Sequence, residues 1–283
     1  MSLLRSIILS FIILFPFSIF AKSQDILIKN ATVVTSTEIG VLDETDVLIQ
    51  NGKISLIGEN INNDEAMIIE AKGRVLTPGL ISPVTNLGLI EIELEAETRD
   101  DRTDHFSAGF SISSAFNPSS TLIPYNRASG ITSGIVFPSS GRGDIFSGLG
   151  SAFKTHGEID TKSIATDIAM VMQMGGNRDS RASNFLELED AFIKAKEFKK
   201  SRGMIQRGGF FDTGEYSERD LEALLGLMEE GKSLIVKTNR ASDMLRMIEF
   251  SEKYDLDIMF HGAKEAWRIT DQLVEANIPV IID

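Results

Sequence analysis

The chain has 283 residues, of which 42% are hydrophobic and 24% charged, and a formal net charge of -13 at pH 7. That length and apolar share suffice for one large domain, or a large one with a small one, around a sizeable buried core. The acidic balance argues against nucleic acid as a partner, because phosphate contacts need clustered Lys and Arg. The lack of any cysteine excludes disulfides and zinc-thiolate sites.

Residues 1–23 read as an export signal. Arg5 supplies a short positive region, Ser6 to Phe20 is apolar and uncharged, and Ala21 or Ser23 can precede a cleavage point. The apolar run is short for a membrane span, which needs about 20 residues; an uncleaved N-terminal anchor is the alternative. No later segment is long and apolar enough to cross a bilayer. The expectation is an exported, periplasmic protein with no stable membrane span after cleavage, whose core alone must stabilise the fold.

Residues 24–77 show short alternating apolar runs with turn signals between them. Asn51-Gly52 is a tight-turn dipeptide, so 46–49 and 53–58 are predicted as a hairpin. The segment is expected to be a small β module. From about residue 78 the texture changes to short apolar runs spaced by helical segments: Leu80-Ile81, Ile131–Phe137, Ile168–Met174, Leu234–Val236, Ile258–Phe260 and Val280–Ile282. Glu187–Arg202 carries a helical apolar stripe, and Ser217–Glu230 begins with Ser217 and Asp220 spaced as in a capping box. Ala241–Tyr254 and Lys264–Ala276 complete a β-α-β-α-β pattern, which implies parallel strands with right-handed crossovers. Trp267 is expected to pack in the core. The basic run Lys199-Lys200-Ser201-Arg202 reads as a solvated helix C-terminus. Residues 88–129 and 138–163, rich in Gly, Ser, Asn and Asp, read as long loops. Within them Glu93–His105 is predicted to be a solvated acidic loop, and His156 to sit in a surface turn.

The strings DILIKNATVVTS, DVLIQNGKISLIGENI and IIEAKGRVLTPGLI, at Asp25, Asp46 and Ile68 onward, resemble the start of amidohydrolase-superfamily enzymes, closest to the imidazolonepropionase-like branch. Gly130-Ile131-Thr132-Ser133, Asn239-Arg240-Ala241-Ser242-Asp243 and Glu265-Ala266-Trp267 resemble later blocks. The resemblance implies an α/β fold: a TIM-type (β/α) barrel over 78–283, with a small N-terminal β-sandwich portion over 24–77. Six barrel strands are in view against the usual eight. The expectation is therefore a fragment, or a barrel completed by a partner chain.

The resemblance also implies a divalent metal, normally zinc, that lowers the pKa of a bound water. Its usual ligands are an HxH pair ending strand 1, a carboxylated lysine or an acid on strand 4, histidines ending strands 5 and 6, and an aspartate ending strand 8. Here the HxH positions fall on Val84 and Asn86. Valine cannot bind a metal, and asparagine offers only a neutral carbonyl oxygen. Lys237 stands where relatives carry the strand-5 histidine, and His261 ends the next strand; these two are the remaining metal-ligand candidates. Arg178 and Arg181 are candidates for a carboxylate-bearing substrate. The function implied is an exported hydrolase of non-peptide C–N bonds in small cyclic amide or peptide-like molecules. The alternatives are a pseudoenzyme that binds a ligand or partner, and one half of a two-chain enzyme.

Overall fold

The computed structural model describes residues 24–141, 144–176 and 179–282. The export signal at 1–23 and Arg178 lie outside the described residues. The chain divides into two compact units between Pro78 and Gly79.

The first unit is a sheet of five strands: β1 (Ile26–Val34), β2 (Val41–Gln50), β3 (Lys53–Gly58), β4 (Met67–Glu70) and β5 (Val75–Leu76). Their order is β3-β2-β1-β4, with β5 also on β1. Asn51 and Gly52 join β2 to β3 with φ of 51° and 73°. Two successive positive φ values define the turn whose twist matches a hairpin, and Asn-Gly is the pair that tolerates them. Leu27, Ala31, Val33, Val47 and Leu48 are buried on this sheet. The Asp46 carboxylate is buried beside them and accepts from the Asn30 and Ile61 amides at 2.9 and 3.0 Å.

The second unit carries β6 (Leu80–Thr85), α1 (Leu122–Ala128), β7 (Ile131–Val136), β8 (Phe146–Lys154) and β9 (Ala165–Gln173), then α2 (Arg181–Ile205) and α3 (Glu218–Glu229). It continues with β10 (Ser233–Thr238), α4 (Ala241–Tyr254), β11 (Ile258–Gly262), α5 (Thr270–Glu275) and β12 (Val280–Ile281). The strands form one seven-stranded sheet in sequence order. It is a barrel-like sheet of TIM type, parallel except at β8, which is antiparallel to both β7 and β9. All six apolar runs lie in this sheet.

β8 corrects the expectation of a loop over 138–163. Its small residues suggest a loop, but they answer to close neighbours. A Cβ on Gly150 would sit 2.1 Å from the Phe137 ring, and one on Gly148 would sit 2.3 Å from the Phe110 carbonyl oxygen. Glycine is required because other groups occupy the side-chain space. Helix α2 starts six residues before the apolar stripe, at a cap where the Ser180 hydroxyl accepts from the Ser183 amide at 3.1 Å. Over 264–276 the expected single helix is a 3₁₀ turn at Ala266–Arg268 followed by the short α5. Trp267 rides on that turn 74% exposed, not in the core.

One face of the sheet packs on the helices: Met170, Met172, Leu234, Val236 and Phe260 meet Leu188, Phe192, Leu224 and Met244. Burial of one such side chain contributes roughly 1.5–3 kcal/mol. The opposite face holds Val84, Phe137, Ala169, Val171, Ile235 and Met259 together. The capping box of α3 is formed, with Ser217 Oγ accepting from the Asp220 amide and the Asp220 carboxylate from the Ser217 amide. The basic run on α2 ties it to α3, through Lys199 to Glu229 at 2.7 Å and Arg202 to Glu222. Among the described residues no helix is long and apolar enough to cross a membrane.

Candidate functional site

On a strand, residues two apart face the same way, and in parallel strands register partners lie side by side. Val171, Ile235 and Met259 are register partners across β9, β10 and β11. Two residues further on, Gln173 pairs with Lys237, Lys237 with His261, and His261 with Ile281 on β12. The apolar inner face thus ends in a polar row at the C-terminal ends of the parallel strands. That is the end where (β/α) barrels place their sites. A cavity of about 370 Å³ opens there, lined by Gln173, Gly175, Arg181, Lys237, Thr238 and His261 among others.

The walls of this cavity are fixed by main-chain and side-chain bonds. Gln173 donates through Nε2 to the Gly175 carbonyl at 3.1 Å, and Ser140 Oγ reaches Gln173 Oε1 at 3.5 Å. The Gly175 amide donates to Asn184 Oδ1 at 3.2 Å. Gly175 has φ of 73° and lies under the Arg181 guanidinium, where a Cβ would be 2.8 Å from Cζ. The positive φ is what calls for glycine there, since the guanidinium above it is the movable end of a long side chain. Arg181, the first residue of α2, donates from Nε to Asp243 Oδ2 at 2.6 Å, and Asp243 is buried on α4. The Thr238 hydroxyl is buried and has no hydrogen-bond partner among the described residues.

The sequence-derived candidates separate clearly. Lys237, His261 and Arg181 share the cavity; Arg178 lies outside the described residues. Val84 packs against Phe137, Ala169, Val171 and Ile235, and Asn86 is exposed past the end of β6. Counted along the sheet from β6, β9 is fourth, β10 fifth and β11 sixth. The fourth position of the row is therefore Gln173, which the sequence reading missed. Its signal was available: it is the first polar residue on the inward alternation Ala169, Val171, Gln173.

This donor set does not fit the metal that the resemblance implies. A valine in the apolar face, an exposed amide, a glutamine, a lysine and one histidine supply a single good donor for zinc. Among the described residues no group of three or more His, Asp or Glu side chains could hold a metal ion.

A second cavity, of about 360 Å³, lies beside the first. It is lined by Arg99, Arg102, Thr103, Asp104, Ser140 and Gly141, and Ser140 Oγ reaches Gln173, a residue of the first cavity. Gly141 lets the two loops meet, since a Cβ on it would be 2.3 Å from the Thr103 carbonyl oxygen. Arg99 donates from Nε and Nη2 to the two carboxylate oxygens of Asp101 at 3.0 and 2.8 Å. Burial pushes the Asp101 carboxyl up, but the Arg99 bonds, with Ser139 and the Arg99 charge, outweigh it and hold the group below its ordinary value. The acidic loop is thus not wholly solvated: Asp101 is fully buried. Arg102 is exposed and has no ion pair among the described residues. His156 accepts at Nδ1 from the Glu158 amide in a surface turn, and His105 is exposed.

No family model matches the chain. The D-hydantoinase of Geobacillus stearothermophilus is 39% identical over 104 residues, covering 35% of this chain and 19% of that enzyme. The dihydroorotase of Halalkalibacterium halodurans is 46% identical over 55 residues, 19% of this chain and 12% of that one. The chain thus spans less than a fifth of the length of either relative. Among solved structures, an amidohydrolase from Thermotoga maritima MSB8 superposes with a TM-score of 0.78 and 26% identity, covering 91% of this chain and 70% of the other.

Proposed function

The matched segments place the chain in the amidohydrolase superfamily, and on that premise we propose that the polar row at its strand ends binds a small cyclic amide without the metal-activated water that splits C–N bonds. The observation that carries this reading is the row Gln173, Lys237, His261 above an apolar layer that includes Val84. The lysine ammonium and the imidazole provide donors for ring carbonyl oxygens, and the apolar layer below closes the floor. Both residues are half-buried, and a donor partly screened from water binds a carbonyl more firmly than a fully solvated one. Relatives are named for hydantoin and dihydroorotate, so a five- or six-membered ring carrying amide groups is the ligand class proposed. The cavity of about 370 Å³ has room for such a ring.

Export belongs to the same proposal. The uncharged run Ser6–Phe20 behind Arg5 supports a place in the periplasm.

The test is calorimetric titration of hydantoin into chelator-treated protein, alongside an assay for ring opening. Binding that persists after chelation and weakens in His261→Ala, with no ring opening, supports the proposal. Ring opening that a chelator abolishes and zinc restores overturns it in favour of the second reading, a metal-dependent hydrolase. That reading is favoured by one observation, the retention of His261 on the sixth strand of the sheet.

A further inference from the structure

Two features of the second unit take no part in ring binding: the acidic loop after β6 and the exposed tryptophan. Residues 90–99 form a braced loop. Ile90 and Arg99 bridge antiparallel, and the Glu91 amide donates to the Thr98 carbonyl at 3.1 Å. Thr98 Oγ1 donates to the Ile92 and Glu95 carbonyls, each at 2.9 Å, and Arg99 Nη1 to the Glu93 carbonyl at 3.0 Å. Backbone groups and the half-buried Thr98 and Arg99 therefore hold the loop from within. What it presents outward is Leu94, 95% exposed, and Ile92, 55% exposed, interleaved with the exposed carboxylates of Glu93, Glu95 and Glu97. The loop is a knob with an apolar tip and an acidic collar.

A cavity of about 410 Å³ at the start of α4 has the opposite character. Leu245 and Ile269 give it apolar walls, and Arg240 and Arg268, both exposed, supply positive charge. It opens at the N-terminus of a helix of 14 residues, where the backbone adds positive potential. Glu265 also lines it, but its carboxylate is already engaged by the Ala241 amide at 3.0 Å and by Arg268 Nη1 at 3.3 Å. Trp267 stands next to Arg268 in the same 3₁₀ turn, 74% exposed. Tryptophan and arginine around an apolar recess are the groups that carry most of the binding energy in protein contacts.

Knob and recess match in polarity and charge, and one chain carries both. In a chain of net charge -13, two copies repel except where such a basic recess answers the acidic collar. Both features lie at the C-terminal ends of strands, the knob after β6 and the recess after β10. Those strands are four places apart in the sheet. In a barrel-like sheet, places four apart face each other across the mouth. A twofold axis across the mouth then sets each copy's knob against the other's recess, which is an isologous contact.

We propose that two copies of this chain pair mouth to mouth, with Leu94 of each seated in the recess of the other between Leu245 and Ile269, and its flanking glutamates on Arg240 and Arg268. The pairing stands apart from the ring-binding reading, and it turns the strand-end cavities of the two copies toward each other.

Sedimentation velocity of the full chain from about 1 to about 300 µM tests this, with the emission of Trp267, the single tryptophan, as a second readout. The expected result is a reversible monomer–dimer equilibrium, with a dissociation constant on the order of 10 µM, as small contacts give. Salt weakens it, and the emission moves to shorter wavelength as the dimer forms. Leu94→Ser weakens it about tenfold or more. The paired reversals Glu93→Arg with Glu95→Arg, and Arg240→Glu with Arg268→Glu, each abolish it. An equimolar mixture of those two variants restores it, because the mixed pair sets opposite charges together at both contacts. The replaced side chains are all exposed; far-UV spectra and melting temperatures equal to the parent's verify the folds. Should the arginine variant fail that check, Leu94→Ser and the glutamate variant decide alone. A chain that stays monomeric throughout the range overturns the proposal. So does a dimer that Leu94→Ser and the reversals leave intact, a mixture of the folded variants that stays monomeric, or growth past the dimer with concentration.

Discussion

The ring of Phe137 occupies the space that a side chain on Gly150 would need, with Cδ1 2.1 Å from the position of a Cβ. Phe137 is buried on β7's end and Gly150 lies in the middle of β8, so the pair locks the antiparallel strand against the inner face of the sheet. Gly150→Ala is expected to destabilise the second unit by roughly 1–3 kcal/mol, the usual cost of overpacking a close-packed core. The urea midpoint measures it. The double variant Gly150→Ala, Phe137→Leu should recover part of the loss, because the smaller side chain yields the space.

Asp101→Asn tests the buried ion pair under the second cavity. Removal of one partner leaves the Arg99 guanidinium without its counter-charge, at a cost on the order of 3 kcal/mol near neutral pH. The sign with pH follows from the depressed carboxyl. Its stabilisation is present above the ordinary value of about 3.9 and is lost as pH falls through the lower folded-state value. The stability gap between parent and variant should therefore be constant from pH 7 to about 5 and shrink below pH 4. A gap that widens in acid contradicts the pairing.

Tyr216 gives an alkaline counterpart. Its phenol donates to the Glu187 carbonyl at 3.3 Å and is pushed up to about 12, first by burial and then by the carboxylates of Glu187, Asp190, Glu215 and Asp220. A raised phenol keeps its proton in the folded state while the unfolded chain ionises near 10. Its stabilisation is complete below pH 10 and falls away as pH rises from 10 to about 12. Tyr216→Phe should flatten that part of the stability profile. Ultraviolet difference titration of parent against variant should assign the late-ionising phenol to Tyr216.

Ser217→Ala removes the hydroxyl of the α3 capping box. The expected loss is about 1 kcal/mol, the typical worth of an N-cap. Asp220→Ala should cost more, because its carboxylate also accepts from the Gly109 amide at 2.7 Å. Thermal melts of the two variants give the ordering directly.

Most of the sheet was legible from hydrophobic pattern. Six apolar runs became six strands, and Asn51-Gly52 became the turn that its conformational preference demands. The strand that was missed, β8, has its reason in packing. Its glycines and serines look like loop chemistry in one dimension, whereas Phe110 and Phe137, distant in sequence, dictate them in three. Local pattern cannot show a requirement that comes from across the sheet. Helix α2 was shortened for a related cause: its first turn carries Arg181 and the buried Asn184, polar residues whose partners Asp243 and Gly175 lie elsewhere in the chain. The site was half legible. Lys237 and His261 were identifiable from their strands, but Gln173 gained meaning only through register with Lys237. The second cavity was hidden in what read as an acidic loop, because net charge there concealed the pairing of Asp101 with Arg99.

The reversed strand also bears on how the chain finds its fold. Elsewhere in the second unit, neighbouring strands are parallel and must wait for a long crossover to close. β7, β8 and β9 run as a meander joined by short links. Loop closure there costs little entropy, and contacts that are near in sequence form early. The meander is thus the natural seed on which β6 on one side and β10 to β12 on the other are laid down. In a denaturant chevron, Leu149→Ala should slow refolding, whereas Met259→Ala should chiefly hasten unfolding.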